Sequence, residues 1–454
     1  MSLQIIILAA GKGTRMCSNL PKVLHPLAGT PLLQHVLNTA AHLNPQNIHI
    51  IIGHQAALIQ SSFEKNTVNW IVQKNQLGTG HAVMQALPFL KEEDDVLILS
   101  GDVPLITLAT LDGLKQQFND NETLALLTAR LPNPHGFGRI IRHNGRVQGI
   151  VEEKDATLDE KNITEINTGI YWASAKHLMK WLPMINNDNA QSEFYLTDIV
   201  GLALKEGLTI NTHSTEDLIE IQGINDRLQL AALERAYQLK QAQSLMTQGV
   251  TLMDPNRLDI RGRLTAGIDV TIDINAVFIG EVHLDAGVII GPNCVIKNTT
   301  IGAGTEIYAH SVIDGATIGK TCQIGPYARI RPNTILKDKC KIGNFVETKN
   351  ASFDTHSKAS HLSYLGDVTI GQDVNIGAGT ITCNYDGVNK HQTIIEDGVF
   401  IGSDTQLVAP VRVGKNATLG AGTTLRKDAP AGELTLTESR QKTLSGWKRP
   451  EKIK

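Results

Sequence analysis

Sulfur is scarce in this 454-residue chain, which has five cysteines and no Cys-x-x-Cys spacing. Cys294, Cys322 and Cys340 share one slot of a repeat described below, and Cys17 and Cys383 stand alone. This argues against a disulfide framework or a cysteine zinc site and for free or buried thiols in a reducing cytoplasm. A surplus of charge is also missing. Lys and Arg number 42 against 45 Asp and Glu, a net charge of −3, so nothing calls for a nucleic-acid or membrane partner. Long apolar runs are absent: Ile5–Leu8 meets alanines and glycine too soon for a signal peptide or a membrane span. Aromatic residues make up only 4%, yet hydrophobic residues reach 41%. Cores are therefore affordable, but Ile, Val and Leu must fill them. The length allows two or three domains.

What the chain does have is a six-residue beat. Ile318, Ile324, Ile330, Leu336 and Ile342 are evenly spaced, and so are Ile395, Ile401, Leu407, Val413, Leu419 and Leu425. Small or β-branched residues precede them by two positions, from Ala316 and Cys322 through to Thr423, and glycine often follows. Neither a helix nor a single strand has this period. Three short strands joined by corners do, so eighteen residues close one triangular coil and stacked coils form a parallel β-helix. Looser hexads start near Ile268. Register is lost between Ile342 and Ile370 and again between Ile376 and Ile395, and both breaks predict surface loops. The array resembles the hexapeptide-repeat acyltransferases, which implies a left-handed coil despite the usual right-handed crossover rule.

The first half alternates as α/β. Strand Ile5–Leu8 runs into Ala9-Ala10-Gly11-Lys12-Gly13-Thr14-Arg15-Met16, where backbone N–H groups and two cations can meet phosphate. It is neither a Walker A loop, which would need glycine at Ile6, nor a dinucleotide fingerprint, which would need it at Met16. Alone it would equally describe a tight strand–helix connection. A helix is expected over Leu32–Leu43, strands over Ile48–Ile52, Asn69–Val72 and Val96–Ser100, and another helix opening at Leu77–Ala82. The last strand delivers Gly101-Asp102-Val103-Pro104 to the edge where open α/β sheets bind ligands. A turn-forming aspartate is the plainer reading of that tetrapeptide. Leu8-Ala9-Ala10-Gly11-x-Gly-Thr-Arg-Met followed by Pro21-Lys22 resembles the signature of nucleotidyltransferases that make nucleoside-diphosphate sugars.

Further segments add to this: Gly136–Arg139, Ile150–Lys154, Ile166–Gly169 and Ile221–Asn225. Together with the repeats they resemble, over nearly the whole chain, the bacterial bifunctional N-acetylglucosamine-1-phosphate uridylyltransferase/glucosamine-1-phosphate N-acetyltransferase family. The resemblance implies a Rossmann-like α/β nucleotidyltransferase domain over residues 1–227, a helical linker over 228–248 and a left-handed β-helix with a tail over 249–454. It implies that Leu8, Ala9, Ala10, Gly11, Gln73, Gly78 and Thr79 hold UTP, with Lys22 and Arg15 facing phosphates. Ser100, Gly101, Asp102, Gly138, Glu152 and Asn167 would line the sugar nucleotide. Asp102 and Asn225 would hold Mg²⁺. The family is expected to carry tyrosine where this chain has Ser100. Phosphoryl chemistry of this kind needs cations and a hard metal rather than a His or Cys nucleophile.

Leu228–Gln248 lacks proline and glycine. Leu228, Leu230, Leu233, Tyr237 and Leu245 give it a partial helical stripe, so it reads as a stiff spacer. In the repeats, Arg331 and Lys349 are eighteen apart and should stack on adjacent coils, about 4.8 Å apart. A bound phosphate would relieve their repulsion, although a solvated basic face is the plain alternative. Ser403 and Ala421 form a second such column, small enough for a long thin ligand to lie against. By resemblance, Arg331, Lys349, Tyr364 and Asn375 bind glucosamine 1-phosphate, and Ala378, Asn384, Tyr385, Ser403 and Ala421 bind acetyl-CoA. His361 is the implied general base, and a homotrimer is implied too. Two rivals remain at this point. One keeps only the transferase and makes the β-helix an assembly scaffold. The other is a zinc hydratase on the same prism, which the histidines oppose because they do not repeat at eighteen.

Overall fold

The computed structural model describes residues 2–63, 67–119, 122–438, 440–450 and 452. They divide into two units, Met1–Tyr237 and Gln238–Lys454.

In the first unit, β1 (Leu3–Ala9) is apolar on both faces, and Ile5, Ile6 and Ile7 are fully buried. A strand like that needs cover on each side. Ile5 and Ile7 pack with Leu33, Val36 and Leu37 of helix α1 (Leu32–Ala41). Ile6 packs with Ala82 and Val83 of α2 (Thr79–Met84) on the other side. The other strands of this nine-stranded sheet are β2 (Asn47–Ile52), β3 (Asn69–Val72), β4 (Asp95–Ser100), β5 (Thr123–Arg130), β6 (Gly138–His143), β7 (Arg146–Val151), β8 (Glu165–Ser174) and β9 (Thr209–Thr215). Their order is β9-β5-β8-β4-β1-β2-β3, with the β6–β7 hairpin joined to β8. β1 runs parallel to β2 and β4, aligning Ala9 with Ile52 and Leu8 with Ser100. Three chain segments therefore leave the sheet at one edge, and that edge carries the glycine loop and Asp102.

Helix α3 (Arg227–Thr247) begins where the stripe predicts, but it is not a bare spacer. Leu233, with Leu230 and Tyr237 beside it, packs on Met16, Leu27 and Leu32 of the first unit. Leu228, expected in the stripe, is 83% exposed. In the second unit, the Gln238 amide donates to the Ile260 carbonyl at 2.7 Å and accepts from the Ile260 N–H at 2.8 Å, as a neighbouring strand would. Ala242 and Leu245 close the end of the prism core.

That prism is a parallel β-helix of one eleven-stranded and one fourteen-stranded sheet. Every aliphatic of the two strict runs is buried, and so are the small residues two positions before them. Each side of a coil thus turns two residues inward. Where the beat is strict, coils are eighteen residues: Ala316 pairs with Thr334 and Phe400 with Thr418. The first break is not a loop, which corrects the sequence reading. Lys341 pairs with Lys358 and Glu347 with Tyr364, seventeen residues on. The inward positions continue as Thr348, Phe353, Ala359, Leu365 and Ile370, all buried. A threonine in an aliphatic slot and two sides shortened by one residue hid the repeat. The second break is a true insertion, since Val368 pairs with Thr393 across a 25-residue coil.

Candidate functional site

A cavity of about 450 Å³ opens at the carboxyl edge of β1 and β4. Leu8, Ala9, Ala10, Gly11, Lys22, Gln73, Gly78, Thr79, Ser100 and Asp102 line it, as do Lys12, Gln76 and Glu193. Met16 is buried among Leu27, Leu32 and Ile224, pegging the loop down. Arg15 beside it lies on an exposed turn, outside the lining. Gly78 has φ +115°, and the Phe194 carbonyl lies 2.6 Å from where a Cβ would stand, so no other residue fits. Gly101 packs against Leu8 and Ala9.

Asp102 and Asn225 are far apart in sequence and meet through the backbone: the Ile224 N–H donates to the Asp102 carbonyl at 3.0 Å. The Lys22 ammonium then contacts the Asp102 carboxylate and donates to Asn225 Oδ1 at 3.1 Å. One cation is therefore shared by a carboxylate and an amide oxygen, both largely shielded from water.

Gly138, Glu152 and Asn167 form a neighbouring group. Asn167 of β8 aligns with Gly138 of β6, just before a bulge that ends at Tyr171. The Asn167 amide donates to the Tyr171 hydroxyl at 2.7 Å. Glu152 Oε2 lies 3.4 Å from where a Gly138 Cβ would stand, so glycine lets the carboxylate close in. Ser100 faces the adjacent Gly169. Burial pushes the Glu152 carboxyl up; a hydrogen bond from Thr197 opposes this, and Asp155, Asp198 and Glu193 reinforce it. A carboxylate raised above its unfolded value weakens the fold as pH rises through that window. Glu152→Gln is thus expected to raise Tm at pH 7, with the gain shrinking toward pH 4, while uridylyl transfer falls. A Tm unchanged or lowered at pH 7 would contradict the burial argument.

On the β-helix, His361 ends a strand at the corner after the first face, in register with Asn344. Asn344 Oδ1 accepts from His361 Nδ1 at 3.0 Å, which leaves Nε2 as the nitrogen that can take a proton. The register carries this column on through Ala378, Ser403 and Ala421. The implied base and the implied acetyl-CoA wall are one continuous column. Asn375 stands on the first face. Tyr364 begins the second face, with its hydroxyl over Gly366.

Arg331 and Lys349 do fall in register at the far end of that second face. They do not form a simple pair, however. Arg331 donates to Glu347 at 2.7 Å. Lys349 lies against Lys390, whose ammonium, followed by partial desolvation and then the Arg331 guanidinium, holds the Lys349 pKa below its usual value. Lys390 comes from the insertion, which a Tyr385–Lys390 bridge closes and a 2.7 Å His391–Asp386 contact braces. Asn384 is buried and donates to the Asp367 carboxylate.

The sequence reading missed Gln76, Glu193, Asn344, Glu347 and Lys390. A seventeen-residue coil would have found Asn344. No local signal points to Lys390, because an insertion has no register to read. Among the described residues, no three His, Cys, Asp or Glu side chains converge on a metal position.

Comparison with known proteins matches residues 5–144 to the MobA-like NTP transferase domain, 260–361 to the GMPPB C-terminal domain and 392–427 to the bacterial transferase hexapeptide repeat. The chain is 59% identical to the bifunctional protein GlmU of Legionella pneumophila (strain Lens), over 100% of this chain and 99% of that one. It is 55% identical to GlmU of Marinobacter nauticus over 99% of both. It is 52% identical to GlmU of Alkalilimnicola ehrlichii over 99% of this chain and 97% of the relative. With a nucleotidyltransferase domain followed by a left-handed parallel β-helix of hexapeptide repeats, the chain belongs to the bifunctional GlmU family.

Proposed function

We propose that the cavity around Asp102 is the uridylyl-transfer centre of this bifunctional enzyme, and that the wall carrying His361 is its acetyl-transfer centre. The enzyme acetylates glucosamine 1-phosphate from acetyl-CoA, then couples the product to UTP. The UDP-N-acetylglucosamine formed is a precursor for peptidoglycan and lipopolysaccharide. The first activity is assigned to residues 249–454 and the second to residues 1–227, with the helix between them. The single observation that carries the reading is Lys22 shared between Asp102 and Asn225 at the mouth of the glycine loop.

In uridylyl transfer, a sugar-phosphate oxygen attacks the α-phosphate of UTP and pyrophosphate leaves. Lys22 and the loop N–H groups meet the charge that spreads over the phosphates. A carboxylate and an amide oxygen that already share one cation suit a hard metal, so Asp102 and Asn225 would hold Mg²⁺. With a single carboxylate in the set, substrate phosphates would supply further ligands. When bound, the ion adds positive charge beside the reacting phosphates. Glu152 and Asn167 accept and donate hydrogen bonds to the sugar.

In acetyl transfer, the sugar amine attacks the thioester carbonyl and His361 Nε2 takes its proton. As the C–S bond breaks, His361 returns that proton to the departing sulfur, so the coenzyme leaves as a thiol. Arg331, Lys349 and Lys390 crowd cations where a phosphate would relieve them. Lys349→Met should raise the KM for glucosamine 1-phosphate more than about tenfold, with acetyl-CoA affinity nearly unchanged. Free glucosamine, which lacks the phosphate, should be a poor substrate for both enzymes and separate them little. Equal damage with both acceptors would refute the phosphate role.

We further read a homotrimer in the cytoplasm. Asn375 and Arg331 stand on different faces of one prism, so one acceptor reaching both favours more than one copy. Tyr327, Phe345 and Leu362, at 49%, 56% and 62% exposure, form an apolar corner column beside His361 that a second copy would cover. Free cysteines and the substrates acetyl-CoA and UTP fit a reducing interior. Supplying glucosamine 1-phosphate, acetyl-CoA, UTP and Mg²⁺ together should yield UDP-N-acetylglucosamine, and omitting any one should stop it. Product formed without acetyl-CoA would refute the assignment.

A further inference from the structure

Lys390 reaches the cation cluster from an insertion that has little packing to hold it. Val388 at its tip is 83% exposed, and Tyr385 is 60% exposed. The ammonium of Lys349, with Arg331 beyond it, repels that of Lys390. A cavity of about 250 Å³ at the foot of the insertion, lined by Asn350, Asp367, Lys390, His391 and Gln392, gives Lys390 room to retreat. The Asp367 carboxylate there is an anion to which it could turn. A loosely held segment would therefore carry Lys390 away from the other two cations.

One carboxylate opposes this. Asp386 Oδ1 accepts from the Val388 N–H at 2.8 Å and the Asn389 N–H at 2.7 Å, fixing the tip. Asp386 Oδ2 accepts from His391 Nε2 at 2.7 Å, fixing the foot. The His391 N–H donates to the Asn384 carbonyl at 2.8 Å, and the Asp386 N–H to the Asn389 carbonyl at 3.1 Å. Buried Asn384 is bonded in turn to Asp367 on the wall. Lys390 thus stands between Asn389 and His391, two neighbours tied to the same side chain. The His391 bond, followed by the two N–H groups, holds the Asp386 carboxyl well below its usual range.

We propose that His391 and Asp386 are positioning residues, which hold the Lys390 ammonium toward the phosphate of the sugar acceptor and keep it from falling back onto Asp367. Neither touches the acceptor; each acts through Lys390. This rests on reading Arg331, Lys349 and Lys390 as the phosphate site of the acetyl-transfer centre. With the pair intact, Lys390 makes its charge-assisted bond from a segment that is already ordered. Without it, the ordering cost falls on acceptor binding, so KM rises while the chemistry at His361 is unchanged.

The test compares acetyl transfer in the full-length protein and in His391→Leu, His391→Gln, Lys390→Met and the double variant Lys390→Met/His391→Leu. His391→Leu should raise the KM for glucosamine 1-phosphate about fivefold, with kcat, acetyl-CoA affinity and uridylyl transfer near wild type. His391→Gln, which keeps an N–H donor, should restore most of the affinity. Once Lys390 is gone the pair has nothing to position, so His391→Leu should add less than about twofold to the effect of Lys390→Met. An equal rise in both backgrounds, or an equal rise with free glucosamine, would overturn the proposal. So would a matching loss of acetyl-CoA affinity, which would mean that the whole insertion had collapsed. If Lys390→Met raises KM while His391→Leu does not, the positioning role is refuted and the phosphate site stands. If Lys390→Met leaves KM unchanged, Lys390 does not meet the phosphate, and that part of the site reading fails with the proposal.

Discussion

Asp102→Asn is expected to cut uridylyl transfer by about 10²–10³-fold, while thiol release from acetyl-CoA in the presence of glucosamine 1-phosphate stays near the wild-type rate. The substitution keeps the shape of the side chain and removes its charge. Asp102 is the one carboxylate in contact with Lys22 among the described residues, and no cluster of three acidic, histidine or cysteine side chains stands by to replace it. Any metal would then be left with amide oxygens and the substrate. Lys22 would keep its bond to Asn225 but lose its ionic partner. The turn itself should survive, because the Ile224 N–H binds the Asp102 backbone carbonyl and not the side chain. The two activities are assigned to different units with separate cores. A folded variant that loses both activities would refute two independent centres.

His361→Ala should slow acetyl transfer by about 10²–10⁴-fold, the usual worth of a positioned general base. Coenzyme binding should be largely kept, because Ala378, Ser403 and Ala421 occupy the same column and are untouched. Uridylyl transfer supplied with ready-made N-acetylglucosamine 1-phosphate should be unchanged. Asn344 is expected to act through His361: with Nδ1 held as a donor, the free nitrogen is Nε2. Asn344→Leu should therefore lower kcat more than it raises either KM. A His361→Ala enzyme within a few-fold of wild type at neutral pH would place the base elsewhere.

Much of this was legible in the chain because its signals are local. A hexad needs only its own side of the prism, so the inward positions from Ile318 to Ile342 and from Ile395 to Leu425 could be counted. A strand followed by a glycine loop is likewise complete within a dozen residues, and the Leu8–Gly11 segment lines the cavity as expected. The beat failed where its assumptions failed. Thr348 fills an aliphatic slot, and coils of seventeen residues look like noise to a count of eighteen. The loop expected around His361 is an uninterrupted wall.

The sequence by itself determined the two architectures, since periodicity and glycine turns follow from local backbone sterics, and the resemblance to a known family supplied most of the side chains that line the cavity. Only the tertiary structure decided who touches whom. Lys22 meets Asn225 because one backbone hydrogen bond ties the Asp102 turn to a segment more than a hundred residues on. Arg331 meets Glu347 across two adjacent coils, and Lys349 meets Lys390 because an insertion folds back over the wall. Gln73 is turned one way because a carbonyl and an imidazole five and eight residues on face its amide. Those pairings depend on distances through space, and no spacing along the chain encodes them.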